Sequence, residues 1–229
     1  MKTFGASTIN FFLNLKPDFH LPDTLQFLLP YQNKMAKEAT EKFYGKYYND
    51  RNKRTFIIGI NPGRFGAGTT GISFTDPIML EDECKIKNSF LKKSELSSTF
   101  IYNVIKEYGG VESFYSKFFL TSVCPIGFIK NGKNINYYDD KILLQTSRNF
   151  IVKSIKTQIE FGAGNKAAIC LGEGKNYQYL KKLNEEMKFF KEIIPIAHPR
   201  YIMQYKRKKV EEYFTKYLKL LTEVIEKNN

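Results

Sequence analysis

The sequence predicts an α/β fold of three layers, α/β/α, around a central four-stranded parallel sheet. Two observations carry this expectation. Four short apolar runs, Thr55 to Ile60, Phe118 to Cys124, Ala167 to Leu171 and Glu192 to Ala197, are separated by longer segments of helical spacing. Each run also stops abruptly, at Asn61, Pro125, Gly172 and His198. Strands that alternate with helices need crossover connections, which lay parallel strands between two helical layers. The length, 229 residues, suits a single domain over 1–229 with a sizeable core.

Residues 1–50 read as a helical N-terminal region packed on that domain. Gln26 to Tyr48 carries Leu28, Leu29, Met35, Ala39 and Phe43 at roughly helical spacing, with Pro30 as a kink or a start. The β-branched run Thr55 to Ile60 reads as a buried strand, and the glycine-rich Asn61 to Gly68 as a loop. Ser97 to Tyr108 predicts an amphipathic helix stopped by Gly109 and Gly110. Phe118 to Cys124 is the second strand, and Lys130 to Asn134 a polar turn. A long helix is expected from about Asp139 to Glu160, then a third strand at Ala167 to Leu171 and a helix to about Lys188. After the fourth strand, a final helix from about Lys206 to Lys227 is apolar through Val210, Phe214, Leu218 and Leu221.

Lys and Arg total 36 against 23 Asp and Glu, a formal charge of +13. Such an excess attracts polyanions, because each phosphate neutralised releases condensed counterions. A merely solvated basic surface explains it equally well. The cysteines, Cys84, Cys124 and Cys170, are odd in number, far apart and without a CxxC pair. Neither a disulfide framework nor a zinc or iron–sulfur site is expected, and a reducing, cytoplasmic setting fits. No apolar run approaches ~18 residues, so neither a signal peptide nor a membrane span is expected.

Ligands of open α/β sheets bind beyond the carboxyl ends of the strands. Three such ends carry polar chemistry: Asn61, the stretch from Ser122 to Pro125, and His198, one of only two histidines. Each has a plain structural reading. Asn61-Pro62-Gly63 is also a turn sequence, and a lone His before Pro is commonly a satisfied surface residue. The glycine loop is not a Walker loop, since GxxxxGK[ST] is absent, and it is not read as a dinucleotide fingerprint, since Gly63, Gly66 and Gly68 do not spell GxGxxG before a helix.

Taken together, the three ends resemble a family. Gly59 to Phe74 is similar to the first motif of the single-strand-selective monofunctional uracil-DNA glycosylases, G-[MI]-N-P-G-x-F-G-x-x-x-T-G-x-x-F. Phe118 to Pro125 resembles the family's second strand, which also runs into Cys-Pro, and Ala197 to Arg200 its last motif. The resemblance implies a uracil-DNA-glycosylase-like fold and hydrolysis of the N-glycosidic bond of uracil or a related deaminated or oxidised base in DNA. It implies base flipping without cofactor or metal, by a monomer whose partner is single- or double-stranded DNA and not a membrane. Asn61 would position the water and His198 would stabilise the leaving base. Phe74 would stack on that base, within a pocket drawn from Ile60, Pro62, Gly63, Phe65, Gly66, Ser122 and Cys124. DNA contacts would fall to Arg64, Pro199, Arg200, Tyr201, Lys206 and Arg207.

The physics agrees with those roles. Extruding a base costs a few kcal/mol, and aromatic stacking returns roughly 1–3 kcal/mol. Asn61 has no basic form at neutral pH, so it orients water without deprotonating it. No Lys is needed as a nucleophile, so lyase chemistry is not expected.

Two departures point to a divergent, bacterial-type branch. Ser122 stands where the family has an Asn that reads the uracil edge, which opens the base preference; Asn131 or Asn134 are candidates to contribute instead. After His198-Pro199 the chain reads Arg200-Tyr201-Ile202-Met203, leaving Arg200, Tyr201 or Met203 as the wedge. Asp76 reads either as a second water contact or as an Asp-Pro turn. Two other classes stay open: a non-catalytic nucleic-acid-binding module, which Ser122 permits, and a nucleoside or nucleotide hydrolase.

Overall fold

The computed structural model describes residues 2–228. The chain opens with α1 (Phe4–Leu13) and a short strand, β1 (Leu25–Leu28). Pro30–Gln32 make a 3-10 turn, and α2 (Lys34–Tyr47) begins where the Asn33 side chain accepts from the Met35 N–H. Then come β2 (Arg54–Gly59), α3 (Ala67–Thr70), α4 (Pro77–Asp82), α5 (Leu96–Glu107), α6 (Gly110–Tyr115) and β3 (Phe118–Ser122). The remainder is β4 (Gly127–Lys130), β5 (Lys133–Ile135), α7 (Lys141–Thr146), α8 (Arg148–Glu160), β6 (Ala163–Leu171), α9 (Lys175–Met187), β7 (Glu192–Ile196), α10 (Pro199–Tyr205) and α11 (Val210–Asn228).

The expected parallel sheet is present, in the order β3-β2-β6-β7. Strand β2 is buried along its whole length, as a central strand covered on both faces must be. Its register with β3 pairs Gly59 with Ser122, so the two strand ends that lead to the site lie side by side. Alternate residues face opposite layers. Ile57, Ile169 and Leu171 share an apolar cluster with Ile101 and Val104 of α5 and Tyr217 and Leu221 of α11. Phe56 and Phe119 face the other way, against Phe190 and against Phe4 and Tyr48 of the N-terminal segment.

Three expectations change. Gln26 to Leu28 is not helical: β1 pairs antiparallel with β4, and β4 with β5, in a second, three-stranded sheet. Partner strands distant in the chain override a weak helical period. The polar turn at Lys130 to Asn134 is a tight hairpin whose tip residues, Asn131 and Gly132, both have positive φ (+48° and +70°). That geometry matches the twist of paired strands and suits Asn-Gly. The helix expected over Asp139 to Glu160 is divided into α7, capped by the Asp140 carboxylate, and α8, with the break at Ser147.

The last helix likewise begins at Val210. Arg207–Lys209 form a 3-10 turn between α10 and α11, and Glu211 and Glu212 occupy the first turn of α11. Acidic groups there suit the positive end of the helix dipole, and the basic residues Lys206 to Lys209 precede it.

Candidate active site

At the carboxyl end of β2 the Asn61 side chain is held from two sides. Its Oδ1 accepts from the Tyr137 N–H at 3.1 Å, while its Nδ2 donates to the Ile135 carbonyl at 3.3 Å. Both partners belong to the backbone at the end of β5, so the second sheet orients the amide plane. A second, longer donation to the Pro62 carbonyl (3.4 Å) comes from the same Nδ2. The amide enters the site already oriented, without waiting for a ligand.

His198 follows β7 and caps α10. Its Nδ1 accepts from the Arg200 N–H at 3.1 Å, which places the ring proton on Nε2. Burial, and behind it the Arg200 guanidinium, hold the imidazole down at about 4. At neutral pH the ring is an uncharged donor through Nε2–H.

Phe74 lies beside His198, with ring centroids 5.9 Å apart. It adopts φ +54°, a left-handed conformation uncommon outside glycine. A Cβ on Gly59 would approach its Cζ to 2.6 Å, so the last residue of β2 has to be glycine for this ring to lie where it does. Ser122, the final residue of β3, is buried, and its hydroxyl makes no hydrogen bond with any described residue.

Asn61, Phe74, Ser122 and His198 line one cavity of about 350 Å³, within the range of small-molecule sites. Ile60, Pro62 and Gly63 are in its wall as expected, and Arg200 and Tyr201 extend it outward. Phe65, Gly66 and Cys124 are not. Phe65 is on the surface with the Lys93 ammonium 3.7 Å from its ring centre, and Gly66 is covered by the Glu95 carboxyl. Cys124 is fully buried, its thiol pushed up to about 12 by burial. Pro199 is also buried, Arg64 reaches over the Phe65 ring, and Lys206 and Arg207 lie beyond the cavity. Met203 packs against the core, which leaves Arg200 and Tyr201 of the three wedge candidates at the cavity.

Asp76 does not line the cavity and caps α4. It is fully buried; Oδ1 accepts from the Ile78 and Met79 N–H groups, and Oδ2 from the Glu95 N–H. Of the two loop asparagines, Asn134 lines the cavity and Asn131 forms the hairpin tip. The wall also takes in Ala67, Ser73, Glu95, Ser97, Ile135, Asn136, Gln204 and Tyr205, which sequence reasoning did not assign to it. Glu95 precedes the helix expected from Ser97, Asn136 follows the expected polar turn, and Tyr205 precedes the expected final helix. Among the described residues no cluster of His, Cys, Asp or Glu could hold a metal ion.

A scan against family models matches the uracil DNA glycosylase superfamily over residues 46–222. The chain belongs to that superfamily. Its fold is similar to the crystal structure of wild-type SMUG2 from Pedobacter heparinus, with 42% identity, a TM-score of 0.95 and coverage of 98% of this chain and 99% of that one. No curated protein matches the sequence.

Proposed function

We propose that the chain is a monofunctional DNA glycosylase that hydrolyses the N-glycosidic bond of uracil or a related deaminated or oxidised base. The observation that carries this reading is the convergence of an oriented Asn61 amide and a neutral His198 donor on one cavity, with Phe74 beside them. Asn61 positions the attacking water at the sugar. The His198 Nε2–H faces the oxygen on which negative charge gathers as the base departs, and Phe74 stacks on the extruded ring. One preorganised donor at a developing anion contributes roughly 3–4 kcal/mol. None of the described residues lining the cavity is a lysine, in keeping with hydrolysis and not with Schiff-base chemistry.

Arg200 and Tyr201 at the cavity mouth, with the exposed Arg207 beyond them, supply the contacts to single- or double-stranded DNA, and the protein acts as a monomer. Ser122 makes the base preference broader than that of a site with an amide at this position, because a hydroxyl adapts as donor or acceptor. The test is a panel of oligonucleotides carrying uracil, hydroxymethyluracil, xanthine or hypoxanthine, single- and double-stranded, without added metal. Abasic product from at least one, lost in Asn61→Ala, supports the reading. Salt-sensitive binding with no product from any substrate favours a non-catalytic module, and turnover of free nucleosides favours a hydrolase.

A further inference from the structure

Glu95 stands in the wall of the cavity with no part in the reaction as derived above. Its position is pinned by its own backbone, whose N–H donates to Asp76 Oδ2 at 2.9 Å. From there the side chain crosses the glycine loop. A Cβ on Gly66 would collide with Oε2, and one on Gly63 would lie 3.7 Å from Oε1. The space that Gly66 leaves empty is the space the carboxyl occupies. The carboxyl is half-buried at the cavity wall and has no hydrogen-bond or ion-pair partner among the described residues. A group so placed and so unsatisfied is available to a ligand.

The charged and titratable groups around it are Asp76 at the start of α4 and His198, Arg200, Tyr201 and Tyr205 on and before α10. Burial pushes the carboxyl up to about 7, with Arg200 pulling it down and Asp76 raising it. DNA binding moves the balance further towards the neutral form. A nucleotide in the cavity removes water, and a phosphate pairing with Arg200 cancels the one influence that favours the anion. An ionised carboxylate would also repel both the phosphates and the departing base anion.

We propose that Glu95 is a further substrate-contacting residue, whose neutral carboxylic acid donates a hydrogen bond to an acceptor atom of the extruded base. This rests on the glycosylase reading and deepens it. Deaminated bases have keto oxygens where their parents have amino groups, so they offer acceptors to a donor of this kind. The hydrogen bond strengthens as the base gains negative charge and requires no net proton transfer. With Nε2–H of His198 it makes two donors on one leaving group, in a site where Ser122 replaces an amide.

The experiment measures kcat/KM from pH 5.5 to 8.5 on the panel substrate that the wild type excises fastest, for the wild type, Glu95→Gln and Glu95→Ala, with a melting curve for each. Since kcat/KM reports the ionisation of the free enzyme, the wild-type value falls above about pH 7. Glu95→Ala is about tenfold slower at pH 6, as for one lost hydrogen bond. Glu95→Gln, which keeps an N–H donor, recovers most of that loss and shows no decline at high pH. A wild-type profile that rises through pH 7, a Gln variant as slow as the Ala variant, or three equal profiles overturns the proposal while leaving the glycosylase standing. A wild type that releases no base from the panel overturns both.

Discussion

The two ends of β2 bury polar groups in opposite ways. At its start, Arg54 is fully buried with every guanidinium donor used: on Asp50 (2.7 and 2.8 Å) and on the carbonyls of Tyr115, Asn52 and Tyr47. The rings of Phe4 and Tyr48, themselves stacked 5.5 Å apart, both lie against it, 4.9 and 4.6 Å from the guanidinium carbon. At the other end, the Ser122 hydroxyl and the Glu95 carboxyl have no described partner, and Asn134 Oδ1 is buried without one. A saturated polar cluster binds the fold together. Polar groups left open around a cavity remain available to a ligand.

The comparison is broken most severely by exchanging the two kinds of loss. Asn61→Ala or His198→Ala should reduce excision roughly 10²–10³-fold, the scale of a lost oriented group or donor, while urea midpoints shift little. The single-turnover rate and a denaturation curve on the same sample check this. Arg54→Ala should do the reverse. It empties a fully desolvated cage and lowers unfolding free energy by roughly 3 kcal/mol, and the protein that remains folded excises at the wild-type rate.

A subtler probe alters the floor of the site without touching a polar atom. Gly59→Ala would drive a methyl group into the Phe74 ring. The expected result is weaker substrate binding, with KM raised about tenfold, and destabilisation of roughly 1–3 kcal/mol as for overpacking. An unchanged KM would show that Phe74 does not contact the base.

The smallest effect is on stability against pH. Glu95 is raised to about 7 in the folded protein from its ordinary value near 4.5. Its contribution is therefore fully present below 4.5 and lost as pH rises through 7. Glu95→Gln should melt a few degrees above the wild type at pH 8, with the difference gone by pH 4.5. His198 has the opposite sign. Its folded value of about 4 lies below the ordinary 6.5, so its contribution is present above 6.5 and lost as pH falls through 4.

Much of the fold was legible because it is local. The four parallel strands are apolar runs closed by Asn, Pro, Gly or His, and the helix from Leu96 is amphipathic with a glycine stop. The site was legible where chemistry sits directly at a strand end. Asn61, Ser122 and His198 terminate three different strands and meet because parallel strands in one sheet end on the same side. Cys124, two residues past Ser122, lies in the core, as its place in an apolar run suggests, and not in the cavity wall that the family resemblance implies.

What tertiary structure alone decided is contact between segments with no pattern of their own. Strand β1 is four residues long and exists because β4 supplies its hydrogen bonds. The clamp on Asn61 comes from backbone 135–137, whose N–H and C=O groups look the same in every sequence. Glu95 reads in the chain as one more charge before a helix. Only the folded loop, with glycine at 66 making room, turns that charge inward beside the groups of the site. Periodicity and strand ends are properties of neighbouring residues, whereas desolvation and unmet hydrogen bonds are properties of a place.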